Sequence, residues 1–269
     1  MKKLSYVSMA GLALLLSTSI YSQADSSKNV TQFKIEVFYN SHLNYYGRTD
    51  SLQSSGVFPL VELWFSPNFY VNAAPVFVNN ASQNFKYSGT VATAGYRFNG
   101  PNKWAGNFYF VKPFYTENSE LVQSALKAQV AGTLTWQSKV INITGGGDVK
   151  FCNRTDFGAT AGIDHLFRMQ LTDKMVLVAN PSACLNAGTQ QFTNSYYKKN
   201  RFLIFPGTEQ MVSETVKQFN ILSYEFSMPL ILAKNKFQIL LLPAYVVPQN
   251  LAGPAKSLFY ITAGAKIIL

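Results

Sequence analysis

The chain has 269 residues, of which 48% are hydrophobic and 14% aromatic but only 13% charged, with a formal net charge of +10. Soluble domains carry about 25% charged residues, so the composition argues against an ordinary water-soluble enzyme. The basic excess is scattered rather than gathered into the stripe that nucleic acid requires, and nucleic acid is excluded as a partner.

Met1-Lys2-Lys3 is a basic start, Val7 to Leu16 a short apolar run, and Ser22-Gln23-Ala24 offers the small residues that a signal peptidase reads. Residues 1–24 therefore read as a cleaved export signal, leaving residues 25–269 as one membrane domain. Removing Lys2 and Lys3 leaves a net charge of +8. No Cys lies near the cleavage site, so a lipid anchor is not expected. Beyond the signal no apolar run approaches the ~20 residues of a membrane helix.

From there the chain reads as about twelve β-strands, the even number of a bacterial single-chain barrel. They run Thr31 to Asn40, Gly56 to Ser66, Asn68 to Asn79, Tyr87 to Asn99, Trp104 to Thr116 and Gln123 to Gln137. Lys139 to Phe151, Thr155 to Met169, Lys174 to Gln190, Thr215 to Ile231, Lys236 to Gln249 and Ser257 to Leu269 follow. Turn chemistry alternates with longer joins. Ser66-Pro67-Asn68, Asn99 to Lys103, Gln137-Ser138-Lys139, Leu171 to Lys174 and Ala233 to Lys236 are tight. The longer connections are Ser41 to Ser55, Asn80 to Lys86, Glu117 to Val122, Cys152 to Arg154, Gln191 to Glu214 and Asn250 to Lys256. With both termini periplasmic, every tight turn falls inside and every longer loop outside.

Side chains alternate between the two faces of a strand. Ile141, Ile143, Gly145, Gly147, Val149 and Phe151 are apolar or small, while Asn142, Thr144, Asp148 and Lys150 between them are polar. Leu126 to Trp136, Phe157 to Phe167 and Phe259 to Leu269 repeat the pattern, which a soluble sandwich also shows. Length decides against the sandwich, because several segments exceed the five or six residues of typical globular strands. So does the polar face, which carries mid-strand charges that only a hydrated or paired lumen accommodates. Arg97, Lys127, Asp148, Lys150, Asp164, Arg168, Glu225 and Lys266 are the candidate lumen-lining residues that would set selectivity. Pairing within single strands, Asp148 with Lys150 and Asp164 with Arg168, would instead close the interior. Aromatics at strand ends, among them Trp64, Phe69, Trp104 and Trp136, suit an interfacial girdle.

Pro59, Pro75, Pro181 and Pro243 fall on the lipid-facing register, where each removes a ladder donor and predicts a bulge or broken pairing. Inward glycines (Gly89, Gly95, Gly158, Gly162, Gly264) leave room in the lumen; Tyr70 and Tyr260 take some back. The join Gln191 to Glu214, with Tyr196, Tyr197, Phe202 and Phe205, is the candidate constriction or surface-binding loop.

The two cysteines, Cys152 and Cys184, lie with one strand between them. That spacing implies roughly 9.6 Å, beyond the ~7 Å limit for the Cα atoms of a disulfide. Two cysteines and two distant histidines offer no metal site, and no cofactor motif is present. Neither His42 nor His165 has the serine two residues away that a barrel phospholipase needs, and Asp164 and His165 point to opposite faces of one strand. Enzymatic function is not expected.

The whole mature segment resembles the outer-membrane β-barrels of Gram-negative bacteria, and the wording of its strands is similar to uncharacterised Bacteroidota-type barrels. Phe259-Tyr260-Ile261-Thr262-Ala263-Gly264-Ala265-Lys266-Ile267-Ile268-Leu269 resembles the C-terminal insertion signal read by the barrel-assembly machinery. Leu269 departs from the aromatic that commonly ends such signals. The resemblance implies a multi-pass barrel in the outer membrane, with outer-membrane lipid and the assembly machinery as partners. The expected function is a small porin-like channel for passive diffusion of small polar or anionic solutes. The alternative is a closed structural or surface-binding barrel acting through Ser41–Ser55 and Gln191–Glu214.

Overall fold

The computed structural model describes residues 31–49, 52–116, 126–152, 155–199, 209–250 and 256–269. The export signal read at residues 1–24, the join at 117–122 and most of that at 250–256 lie outside them. Seventeen strands are present among the described residues: β1 (Gln32–Asn40), β2 (Asn44–Tyr45), β3 (Arg48–Thr49), β4 (Ser55–Trp64), β5 (Phe69–Asn80), β6 (Gln83–Asn99), β7 (Trp104–Tyr115), β8 (Ala128–Trp136) and β9 (Asn142–Phe151), then β10 (Thr155–Asp164), β11 (Phe167–Thr172), β12 (Met175–Ala179), β13 (Ser182–Lys199), β14 (Glu209–Ser227), β15 (Leu230–Lys234), β16 (Phe237–Pro248) and β17 (Leu258–Ile268).

Twelve of them, β1-β4-β5-β6-β7-β8-β9-β10-β13-β14-β16-β17, form an antiparallel ring that closes where Lys34–Asn40 pairs with Thr262–Ile268. Closure is the physical requirement for crossing lipid on strands, since an open edge would leave backbone donors and acceptors unpaired in hydrocarbon. Consecutive strands are neighbours throughout, so the topology is up-and-down. The outward register is greasy: Phe33, Ile35, Val37 and Tyr39 on β1, Phe108, Phe110 and Phe114 on β7, and Phe237, Ile239, Leu241 and Tyr245 on β16 are all exposed. A belt of that extent needs lipid as its solvent.

The tight turns form as their sequences dictate. Ser66 Oγ accepts the Asn68 and Phe69 N–H groups at 3.3 and 3.0 Å. Asn102 and Lys103 take left-handed conformations (φ 59° and 66°) in the Asn99–Lys103 turn. These turns share one rim with the start of β1 and the end of β17, here called the terminal rim.

Three strands are broken, as the prolines require. β10 and β11, β12 and β13, and β14 and β15 are each one barrel stave interrupted at residues 165–166, 180–181 and 228–229. Register survives every break: Asp164 faces Ser182 on one side of the interruption and Phe167 faces Ala179 on the other. His165 N–H reaches the Pro181 carbonyl at 3.2 Å, Asn180 N–H the Pro229 carbonyl at 3.0 Å and Met228 N–H the Pro243 carbonyl at 3.1 Å, bridging the gaps. Pro229 thus shares the disruption expected at Pro181. Pro243 keeps its place in the β16–β17 ladder opposite Ile261, because its missing donor falls on the side of the β14/β15 break. The β4–β5 ladder lapses between Val57 and Val61 and resumes in unchanged register, which sets Pro59 and Pro75 opposite one another in the gap.

The reading of Gln191 to Glu214 as a long loop is corrected. β13 and β14 remain paired out to Lys199 and Glu209, so the join is a β-hairpin rising from the rim opposite the termini, with only residues 200–208 left between its strands. Local sequence there is polar with scattered aromatics, and the backbone pairs as a hairpin. Phe202 and Phe205 lie outside the described residues.

Candidate functional site

The interior divides into an apolar half and a polar half. The inward residues of β1, β4, β5, β6 and β7 include Phe38, Phe58, Leu60, Ala74, Val76, Val78, Val91 and Val111, which form one buried cluster together with Leu43. Leu242, Ala244, Val246 and Tyr260 make a second on β16 and β17. Along these stretches the strands are apolar on both faces, unlike β8, β9 and β10, whose inward positions are, apart from Ala131, Gln, Thr, Asn, Asp, Lys and Gly. Gly162 lines the cavity described below, but other inward glycines do not leave the expected room. A Cβ at Gly264 would stand 2.6 Å from the Phe38 ring, and Gly95 is likewise covered by the Tyr70 ring.

Loop Ser41–Ser55 turns into the lumen instead of outward. Ser41 is tied to Ile261 by two hydrogen bonds of 2.9 Å, Leu43 N–H donates to the Ser54 carbonyl at 2.7 Å, and Leu43 is buried. The short β2–β3 hairpin then carries Tyr45, Tyr46 and Gly47 across the barrel. Gly47 has φ +88° and packs so closely on β16 that an added Cβ would lie 3.2 Å from Pro248, so conformation and space both call for glycine. A recess of about 30 Å³, room for one water, brings Tyr46 against Tyr109, Gln129, Asp148 and Asn186 from the far wall. Burial pushes the phenols of Tyr45 and Tyr46 above the ordinary tyrosine range, with the neighbouring Lys150 opposing it. This loop, not the join after Gln190, supplies the constriction.

Between this hairpin and the terminal rim lies a cavity of about 260 Å³, reaching Gln137 in the β8–β9 turn. Its walls carry Thr133, Thr135, Asn142, Thr144 and Thr160 from β8 to β10, Ser182 and Cys184 from β13, Glu225 and Ser227 from β14, and Arg97 and Asn107 from β6 and β7. Asn142 donates to Asp164 at 2.8 Å, and Asn180, with its amide nitrogen turned inward, donates to the same oxygen at 3.0 Å. Tyr260 donates to Glu225 at 3.1 Å. Arg97 lies over the rings of Trp64 and Tyr70, 5.3 and 5.6 Å from their centroids.

Most interior charge is cancelled in place. Lys34 pairs with Glu62 at 3.3 Å, Lys150 with Asp148 at 2.6 Å and Lys266 with Glu36 at 2.5 Å. Glu36 and Lys266 are direct cross-strand partners at the closing seam. The Asp148–Lys150 pairing is thus as the strand register suggests. The Asp164–Arg168 pairing is not: Arg168 lies beyond the break on β11, which is exposed along its length, and Asp164 takes amide donors instead. Of the eight candidate lumen residues, Arg97, Asp164 and Glu225 line the cavity. Asp148, Lys150 and Lys266 are in ion pairs, and Lys127 is exposed just before β8, its N–H on the Phe151 carbonyl. His165 lies edge-on against Phe167 at 4.4 Å between centroids, away from the cavity that Asp164 lines. Both cysteines are free, with Cys184 Sγ 2.9 Å from Thr160 Oγ1. Sequence reasoning missed Tyr45 and Tyr46; two aromatics before a glycine in an otherwise polar loop were the available signal.

No family model matches the chain, and no curated protein matches it. Among solved structures it is similar to the KdgM porin, at 9% identity and TM-score 0.46 over 87% of this chain and 98% of that one. An outer membrane channel from Pseudomonas putida F1 aligns at 9% identity and TM-score 0.47 over 93% and 100%. The β domain of the Bordetella autotransporter BrkA aligns at 7% and 0.47 over 89% and 100%. The likeness is one of barrel architecture, and nothing about solute or partner passes from these proteins to this chain.

Proposed function

We propose that the protein is an outer-membrane channel for passive passage of small polar solutes, held closed by its own loop Ser41–Ser55. One observation carries the reading: a cavity inside a closed barrel, with charged and polar groups in its lining, capped by a hairpin anchored at its ends and packed through Gly47 on Pro248 of β16. Packed side chains from the wall are permanent, whereas a loop that crosses the lumen is removable. In this reading residues 1–24 are the export signal, residues 25–269 the barrel, and the closing strand the contact for the assembly machinery. The strand wording similar to Bacteroidota-type barrels belongs to the same reading. A bias toward anions finds no support in the interior, because Lys150 and Lys266 are paired, Lys127 is exposed and outside the cavity lining, and two carboxylates line the cavity against one guanidinium. A non-enzymatic role fits the separation of His165 from Asp164.

The rival, a closed structural barrel, draws on the apolar clusters that fill half the lumen. Conductance separates the two. Full-length protein refolded into planar bilayers is compared with a variant whose residues 43–53 are replaced by a short Gly-Ser linker. The channel reading expects rare openings from the first and steady ones from the second; silence from both, with folding shown by heat-dependent gel mobility, favours the structural barrel.

A further inference from the structure

We propose that the cavity discriminates in favour of zwitterionic solutes, those carrying both an ammonium and a carboxylate, over neutral solutes of equal size. This deepens the channel reading and rests on it. The argument starts from where the charges stand on the ring. Arg97 is on β6, the fourth stave counted from β1, and Glu225 is on β14, the tenth of twelve, so they face one another across the lumen. Asp164, on β10, is two staves from Glu225. All three line the same cavity. One wall therefore presents a guanidinium and the opposite wall two carboxylates.

Among the described residues, those carboxylates are not spent on a neighbouring cation. Asp164 takes hydrogen bonds from the neutral amides of Asn142 and Asn180, and Glu225 from the Tyr260 hydroxyl. Elsewhere in the interior each carboxylate with a lysine close by is ion-paired, at Glu36, Glu62 and Asp148. Amide and hydroxyl donors hold a carboxylate in place without cancelling its charge, which leaves it available to a cationic group on a solute. The rest of the lining sets Thr, Asn and Ser side chains, which offer hydrogen bonds to a polar body, among apolar ones such as Val178, Ile231 and Leu242. A volume of about 260 Å³ holds roughly nine waters at ~30 Å³ each, enough for a solute of amino-acid size with part of its hydration. An anion meets two like charges on the way, and a neutral solute gains nothing from the opposed walls; a zwitterion is steered at both ends.

Swelling of vesicles containing the full-length protein tests this, with alanine as the zwitterion and lactamide as its neutral isostere. It is run in the wild-type chain and in the chain with residues 43–53 replaced by the linker. The expected result is alanine entry at least about threefold faster than lactamide, the size of effect a water-screened charge contact gives. Asp164→Asn with Glu225→Gln should bring the ratio to one without slowing lactamide, and Asp164→Asn alone should lower it in part. Equal entry of both solutes into unsubstituted protein overturns the zwitterion assignment and leaves the channel standing. An excess that survives Arg97→Gln overturns the opposed-wall arrangement. No entry of either solute in either chain overturns the channel reading and this inference together.

Discussion

Leu43 is the residue on which the closed state should depend most simply. It is 8% exposed, sits in the apolar cluster with Phe58 and Leu60, and approaches Gly56 so closely that an added Cβ there would be 2.9 Å from its Cδ2. Leu43→Ala removes most of this anchor while leaving the Leu43–Ser54 backbone hydrogen bond intact. Truncating a buried leucine costs about 2–5 kcal/mol. The site lies at the rim, where the structure relaxes, so a loss of ~2–3 kcal/mol in loop docking is the working figure. Docked and released loop are two states of one equilibrium, so the released population rises by about 30- to 150-fold. Single-channel recording reads this directly as open probability, with unchanged conductance per opening. Unchanged open probability in Leu43→Ala protein that keeps its folded gel mobility would refute the reasoning, since a gate held by this anchor must respond to its loss.

Three further outcomes follow from the same geometry. Tyr45 and Tyr46 hold their protons more tightly docked than free, so their contribution to docking is complete below the ordinary tyrosine pKa of about 10 and fades as pH rises toward the higher docked value; open probability should climb above pH ~10, and Tyr46→Phe should blunt the climb. Glu36→Gln strands Lys266, whose side chain is 21% exposed, at the closing seam and should cost about 2 kcal/mol, less than the ~3–5 of a fully buried pair, read as a lower urea midpoint in refolding. Gly95→Ala drives a methyl into the ring of Tyr70, which is 4% exposed, and should cost ~1–3 kcal/mol by the same measurement.

The wall was readable wherever one physical rule acts locally. Alternation from Asn142 to Phe151 places Asp148 and Lys150 inward, and the Ser66-Pro67-Asn68 and Asn99–Lys103 turns fall where their chemistry demands. What alternation cannot assign is a strand that is apolar on both faces. Pro75-Val76-Phe77-Val78 and Ile239-Leu240-Leu241-Leu242 are continuous apolar runs, which signal burial on two sides, and they belong to the staves that line the filled half of the barrel. Loop direction was illegible for a different reason. Tyr46 and Gly47 are held by Asp148 and Pro248, about a hundred and two hundred residues away along the chain, and no local pattern encodes so distant a contact. The same holds for the break that separates Arg168 from Asp164, which depends on prolines in neighbouring staves.

The most direct test of a loop-closed channel is a reversible staple. With Cys152 and Cys184 replaced by serine, Gly47→Cys and Pro248→Cys would place two Cβ atoms near 3.3 Å, just under the ~3.5–4.5 Å of disulfides. Pro248→Cys removes the ring atoms that crowd position 47, and the bond holds a side chain there against the strain of φ +88°. Conductance of this protein is recorded oxidised and then after reduction in the same bilayer. Closure while oxidised and openings on reduction are the predicted result. Steady conductance with the disulfide shown to be formed would contradict the account, because ions would then be passing a barrel whose loop cannot leave.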